Sequence, residues 1–157
     1  MAGATPAPTW WWEDFKVGKV LTSGTVEVTR EEVIAFASRY DPQRFHVDEA
    51  AAKETMFGGL IASGWMTAAL SMRLMCDAYL LDSASLGSPG VEKLQWLKPV
   101  RPGDVLHVRT TVLEARPMAS KPHIGLARSR METLNQHGEA VMTMEAWGMY
   151  RRREPAA

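Results

Sequence analysis

From Ile61 to about Leu81 the chain is apolar on nearly every side of a helix, with Trp65, Met66, Leu70, Met72, Leu74, Met75, Tyr79 and Leu80 leaving no clear polar stripe. Such a helix folds only where other structure encloses it. Arg73, Asp77 and several glycines and hydroxyl residues interrupt the apolar region that begins at Met56, so it reads as a core helix rather than a membrane span. Gly58-Gly59 marks the break before it.

What encloses the helix is legible downstream. Val91 to Leu97, Val105 to Leu113, His123 to Leu134 and Glu139 to Tyr150 read as strands, separated by Pro99, Pro102-Gly103 and the turn Asn135-Gln136-His137-Gly138. The links between them are too short for parallel crossovers, which predicts an antiparallel sheet. Upstream, Val20 to Val28 reads as a first strand, rich in β-branched residues. Thr29 with Glu32 forms a capping box for a short helix that Pro42 ends. Asp41 to His46 is then a loop backed by that helix, and Asp48 caps a further turn through Ala50, Ala51 and Ala52. The expected class is α+β, an antiparallel sheet wrapped around one long helix. A sheet covered on one face leaves an edge strand free, and a homodimer through that edge is expected.

A chain of 157 residues is long enough for one core and too short for two, so residues 10–152 are expected to form a single domain. Residues 1–9 are alanine- and proline-rich, without the basic and apolar regions of a secretory signal, and are expected to be a flexible tail. Lysine plus arginine equals aspartate plus glutamate at 18 each, so no global field favours nucleic acid or an anionic membrane. The single cysteine, Cys76, has no internal partner and lies in the apolar stretch, which suggests a buried thiol and a reducing, cytoplasmic setting. Arg151 to Arg153 read as a solvated terminus. Of Trp10, Trp11 and Trp12, at least one is expected to pack on the sheet or on a dimer mate.

The chemistry concentrates in Asp41, His46 and Ser63-Gly64. A carboxylate, an imidazole and free N–H groups at a helix start are what proton transfer beside a polarised carbonyl requires. The plainer reading of Asp41 and His46 is a pair that fixes the loop, and of Ser63 a helix cap. A metal on Asp41, His46 and Asp48 would need a further histidine or cysteine cluster that the chain lacks, so none is expected.

The spacing of Asp41 and His46 matches a known pattern. With Trp12-Glu13-Asp14-Phe15-Lys16-Val17-Gly18 and Pro99-Val100-Arg101-Pro102-Gly103-Asp104, the chain resembles the hotdog-fold MaoC-like dehydratases, which include the (R)-specific enoyl-CoA hydratases. Their motif is Asp-x-Asn-Pro-aliphatic-His, the aspartate five residues before the histidine. The resemblance implies hydration of a trans-2-enoyl-CoA to the (R)-3-hydroxyacyl-CoA, or the reverse, within fatty acid metabolism. Asp41 and His46 would activate the water and the Gly64 N–H would polarise the thioester carbonyl, with Ser63 and Gln43 beside the substrate. No cofactor is implied, since coenzyme A enters as part of the acyl-CoA substrate. The chain departs from the motif at Tyr40, Gln43, Arg44 and Phe45, and has Ser63 where a histidine often precedes the glycine. The rival readings are a hotdog thioesterase and a non-catalytic acyl-CoA-binding protein.

Overall fold

The structure, a computed structural model, describes residues 7–153. Most of the tail expected over residues 1–9 lies outside the described residues; within them, the Thr9 N–H donates to the Asp82 carbonyl at 2.8 Å.

Among the described residues seven strands pair in antiparallel fashion. β1 (Val20–Thr22) and β2 (Val26–Glu27) pair with β5 (Val105–Met118), which is followed across the sheet by β6 (Lys121–Leu134) and β7 (Ala140–Arg151). β3 (Ser85–Gly87) and β4 (Val91–Trp96) lie along the outer side of β7. The helices are α1 (Arg30–Tyr40), α2 (Arg44–Val47), α3 (Glu49–Lys53) and α4 (Gly64–Met75), and a π-helical turn, Cys76–Leu80, continues α4. Met66, Leu74 and Met75 of α4 share one core with Leu106, Val108 and Val112 of β5, Met131 of β6 and Met142 and Met144 of β7. The unbranched methionines fill the irregular gap between a round helix and a twisted sheet.

Several boundaries differ from expectation for local reasons. The first strand is broken, because Thr22 pairs with Arg109 and Val26 with Leu106, so one strand advances a residue more than the other. The excess is taken up at Ser23 and Gly24, where the Ser23 hydroxyl accepts from the Val108 N–H at 2.8 Å. The central helix begins at Gly64 rather than Ile61, because the backbone there is already engaged: Ile61 N–H donates to Phe45, Ala62 N–H to Val100, and the Ile61 carbonyl meets His46. It is also less enclosed than its composition suggests. Trp65 and Met72 are 59% and 48% exposed, and Cys76 is only half-buried. β5 continues to Met118 and β6 starts at Lys121, a longer hairpin than expected, and Ser85–Gly87 adds a short strand beyond those expected from the sequence.

Near the ends of the described residues Arg151 and Arg153 are exposed, as expected, yet the arginine run also ties the two ends together. Arg153 donates to Asp14 at 2.8 Å, Arg152 donates to the Pro122 carbonyl at 3.0 Å, and the Arg152 guanidinium lies over the Trp12 ring, 4.9 Å from its centre. Trp12 in turn donates its indole N–H to the Leu126 carbonyl at 3.0 Å, so the tryptophan run does pack on the sheet.

Two fully buried hydroxyls join α4 to β6. Ser71 Oγ lies 2.7 Å from the Thr67 carbonyl and 2.6 Å from Thr133 Oγ1. A carbonyl only accepts, so Ser71 donates to Thr67 and Thr133 donates to Ser71. The two truncations should therefore be unequal. Ser71→Ala leaves the Thr133 hydroxyl a buried donor without an acceptor and is expected to cost about 1–3 kcal/mol. Thr133→Val removes that donor with little change of shape and should cost distinctly less in urea unfolding.

Candidate active site

Asp41 is where α1 stops. Its N–H makes the last helical bond, to Ala37 at 2.8 Å, while its own φ of −153° turns the chain out of the helix ahead of Pro42. The segment expected as a loop then coils into the single turn α2, which carries His46 inward until it is 4% exposed. Phe45 packs its ring edge-on against the imidazole at 4.5 Å, and so stiffens the histidine where the motif has an aliphatic residue. Tyr40 points outward, 61% exposed, against Phe36.

All five candidate residues converge. Asp41 Oδ2 accepts from Ser63 Oγ at 2.7 Å and lies 3.3 Å from His46 Nε2, while Oδ1 accepts from Gln43 Nε2 at 2.7 Å. His46 Nδ1 lies 2.8 Å from the Ile61 carbonyl, which only accepts, so Nδ1 carries the proton and Nε2 is the nitrogen free for chemistry. Ser63 has a double use. Its hydroxyl hydrogen goes to Asp41 while its oxygen accepts from the Trp65 N–H at 3.3 Å, capping α4. That cap leaves the Gly64 N–H without a partner among the described residues, at the positive end of the helix. Asp48 takes no part; its carboxylate accepts from the Ala51 N–H and caps α3. Among the described residues no three histidine, cysteine, aspartate or glutamate side chains cluster as a metal site.

The Asp41 carboxyl is held below the ordinary carboxylate range. The Ser63 hydroxyl is the largest cause and the Gln43 amide the next, with the nearby His46 adding a smaller push in the same direction; burial opposes all three. An ionised carboxylate thus faces a cavity of about 370 Å³. Asp41, Gln43, His46 and Gly64 line its polar end, and Phe57, Ile61, Trp65, Trp96, Leu97 and Pro99 supply apolar wall.

Trp96 is the contact that residue spacing did not disclose. Its indole N–H donates to the Gly64 carbonyl at 2.9 Å, across 32 residues of sequence. The ring also fills the space a side chain at position 64 would need: a Cβ there would sit 2.4 Å from Trp96 Cε2. Glycine at 64 is thus required by Trp96.

The MaoC like domain model matches residues 16–132, well over half of the chain. The protein belongs to that family. A MaoC-like dehydratase from Rhodospirillum rubrum superposes with a TM-score of 0.85 at 44% identity, covering 92% of this chain and 98% of that one. The uncharacterised Bacillus subtilis protein YdeM is 30% identical over 124 residues, 79% of this chain and 86% of its own. A 3-hydroxyacyl-thioester dehydratase Z of Mycobacterium tuberculosis is 39% identical over 95 residues, 59% of this chain and 62% of its own. As a MaoC-like protein the chain has the hotdog fold, with α4 as the helix inside the sheet.

Proposed function

We propose that this MaoC-like protein is a hydro-lyase that adds water to a trans-2-enoyl thioester, or removes it from the (R)-3-hydroxyacyl thioester, with acyl-CoA as the substrate class. One observation carries the reading: a held carboxylate, a histidine with one free nitrogen and an unpartnered helix-start N–H open into the same largely apolar cavity. In hydration, the Asp41 carboxylate takes a proton from the water that attacks Cβ. The C=C electrons move toward the carbonyl and the Gly64 N–H stabilises the enolate oxygen, while the proton taken from the water passes from Asp41 Oδ2 to His46 Nε2, 3.3 Å away, which delivers it to Cα and leaves both groups as they began. Ser63 and Gln43 keep Asp41 ionised and aimed. No cofactor enters this scheme. Exposed Trp65 and Met72 on α4 and the outer strand β4 support a homodimer.

Loss of the conjugated enoyl absorbance of trans-2-enoyl-CoA without release of thiol tests the reading directly. Thiol release would make the protein a thioesterase, and neither change across short and medium chains would leave an acyl-CoA binder.

The lowered Asp41 pKa has a consequence for pH. A carboxyl held ionised by its neighbours gives up activity on the acid side only when the pH falls below the ordinary carboxylate range. Ser63→Ala removes the largest of those influences, so protonation should begin at higher pH and the acid limb of kcat/KM should move upward. The variant also loses the α4 cap, at about 1 kcal/mol. An acid limb at the same pH in both proteins would mean that Asp41 does not govern it.

A further inference from the structure

We infer that Trp96 is a positioning residue for the acyl carbonyl: through its bond to the Gly64 carbonyl it fixes a residue that lines the cavity and whose N–H has no partner among the described residues. The inference rests on the acyl-thioester reading above and adds a residue to it. Three contacts converge on one geometry. The indole N–H donates to Gly64 O at 2.9 Å. The indole ring lies so close over Gly64 that no Cβ fits, so the contact is steric as well as polar. The same ring meets Trp65 edge-on, centroids 5.2 Å apart with an 81° angle between planes, and braces the next residue of the helix.

The need for such a brace follows from the helix start. The first residue of a helix has no intrahelical bond through its N–H, and Ser63 caps Trp65 instead of Gly64. Glycine is also the residue with the most backbone freedom to lose. The Gly64 N–H shares its peptide plane with the Ser63 carbonyl, which accepts from the Thr67 N–H at 3.1 Å, and a contact from outside the helix on Gly64 itself fixes the next plane and with it the glycine's place beside the cavity. Trp96 supplies that contact from β4, a strand that borders the same cavity and pairs with β7. The donor that would meet a developing oxyanion is therefore oriented by the sheet and not by α4 alone, which is the preorganisation that makes such donors effective.

Trp96→Phe keeps an aromatic ring on β4 and removes the N–H together with part of the indole that covers Gly64. The experiment pairs its hydration kinetics with the amide resonance of Gly64 during titration with butyryl-CoA, a saturated thioester that cannot be hydrated. Labelling serine with carbonyl ¹³C and glycine with ¹⁵N selects Ser-Gly pairs, of which the chain has Ser23-Gly24 and Ser63-Gly64, so Gly24 reports that the variant is folded. The expected result is a kcat lower by roughly ten- to a hundred-fold with KM changed far less, an unmoved acid limb, and a Gly64 shift that is clear in the wild type and much reduced in the variant. An undiminished Gly64 response in Trp96→Phe overturns the inference whatever the rates do, as does an unchanged kcat. If the wild type hydrates no enoyl thioester while butyryl-CoA moves Gly64 only in the wild type, Trp96 keeps its positioning role and hydration is the reading that falls. A wild-type Gly64 amide indifferent to butyryl-CoA overturns the inference.

Discussion

Asp41→Asn is expected to lower hydration of trans-2-enoyl-CoA by about a thousandfold, within the range of roughly 10² to 10⁴ that a positioned acid or base supplies. The replacement is isosteric, and its amide oxygen can still accept from the Ser63 hydroxyl that now meets Oδ2 at 2.7 Å. The Gln43 amide, which now donates to Oδ1, can rotate to present its oxygen to the new NH₂ group. Loop and cap should survive, so the melting temperature should stay near that of the wild type while the base is gone. His46→Gln complements it. A glutamine can donate to the Ile61 carbonyl as Nδ1 does now, yet it has no nitrogen that takes up a proton. The two changes together should be little worse than either alone, because residues that serve one step as a unit are strongly non-additive. Rates within threefold of wild type in Asp41→Asn would return Asp41 and His46 to the plainer role of fixing the α1–α2 junction.

The parts of this site that were legible in the sequence are those set by local rules. Pro42 ends a helix capped at Thr29, and five residues of spacing then bring Asp41 and His46 to one place. Ser63-Gly64 was recognisable as a helix start, although the apolar periodicity placed that start at Ile61; periodicity cannot register that Ile61 and Ala62 bond to Phe45 and Val100. Contacts between distant segments left no such trace. The Ser63–Asp41 bond, which holds the carboxylate ionised, spans 22 residues, and the Trp96–Gly64 bond spans 32. The sequence marks Trp96 as a large residue that could line a tunnel beside the helix, but only the sheet brings its N–H to the Gly64 carbonyl. The β1–β2 break was equally hidden, since the mismatch of one residue belongs to the pairing with β5 and not to either segment.

Gly125→Ala should be among the most damaging single-methyl additions in the molecule, although Gly125 lies within β6 and does not line the cavity that holds Asp41. A Cβ at this position would stand 2.0 Å from Trp12 Cγ and 2.2 Å from its neighbours Cδ1 and Cδ2, so the indole lies flat on the strand where a side chain would be. Neither side yields easily. The strand backbone is fixed on both flanks, Gly125 pairing with Pro117 of β5 and with Tyr150 of β7. The indole is held by its bond to the Leu126 carbonyl and by the Arg152 guanidinium, itself bonded to Pro122. Lifting the ring would give up these contacts together, and we expect a loss of about 2–4 kcal/mol, or a melting temperature lower by roughly 5–15 °C. A double-mutant cycle separates this clash from the general effect of a methyl group in a strand. Once Trp12→Ala has removed the ring, adding Gly125→Ala should change stability by less than about 1 kcal/mol, so the coupling should be nearly as large as the single effect. Additive losses would mean that the glycine is needed for its own backbone and not for the tryptophan that covers it.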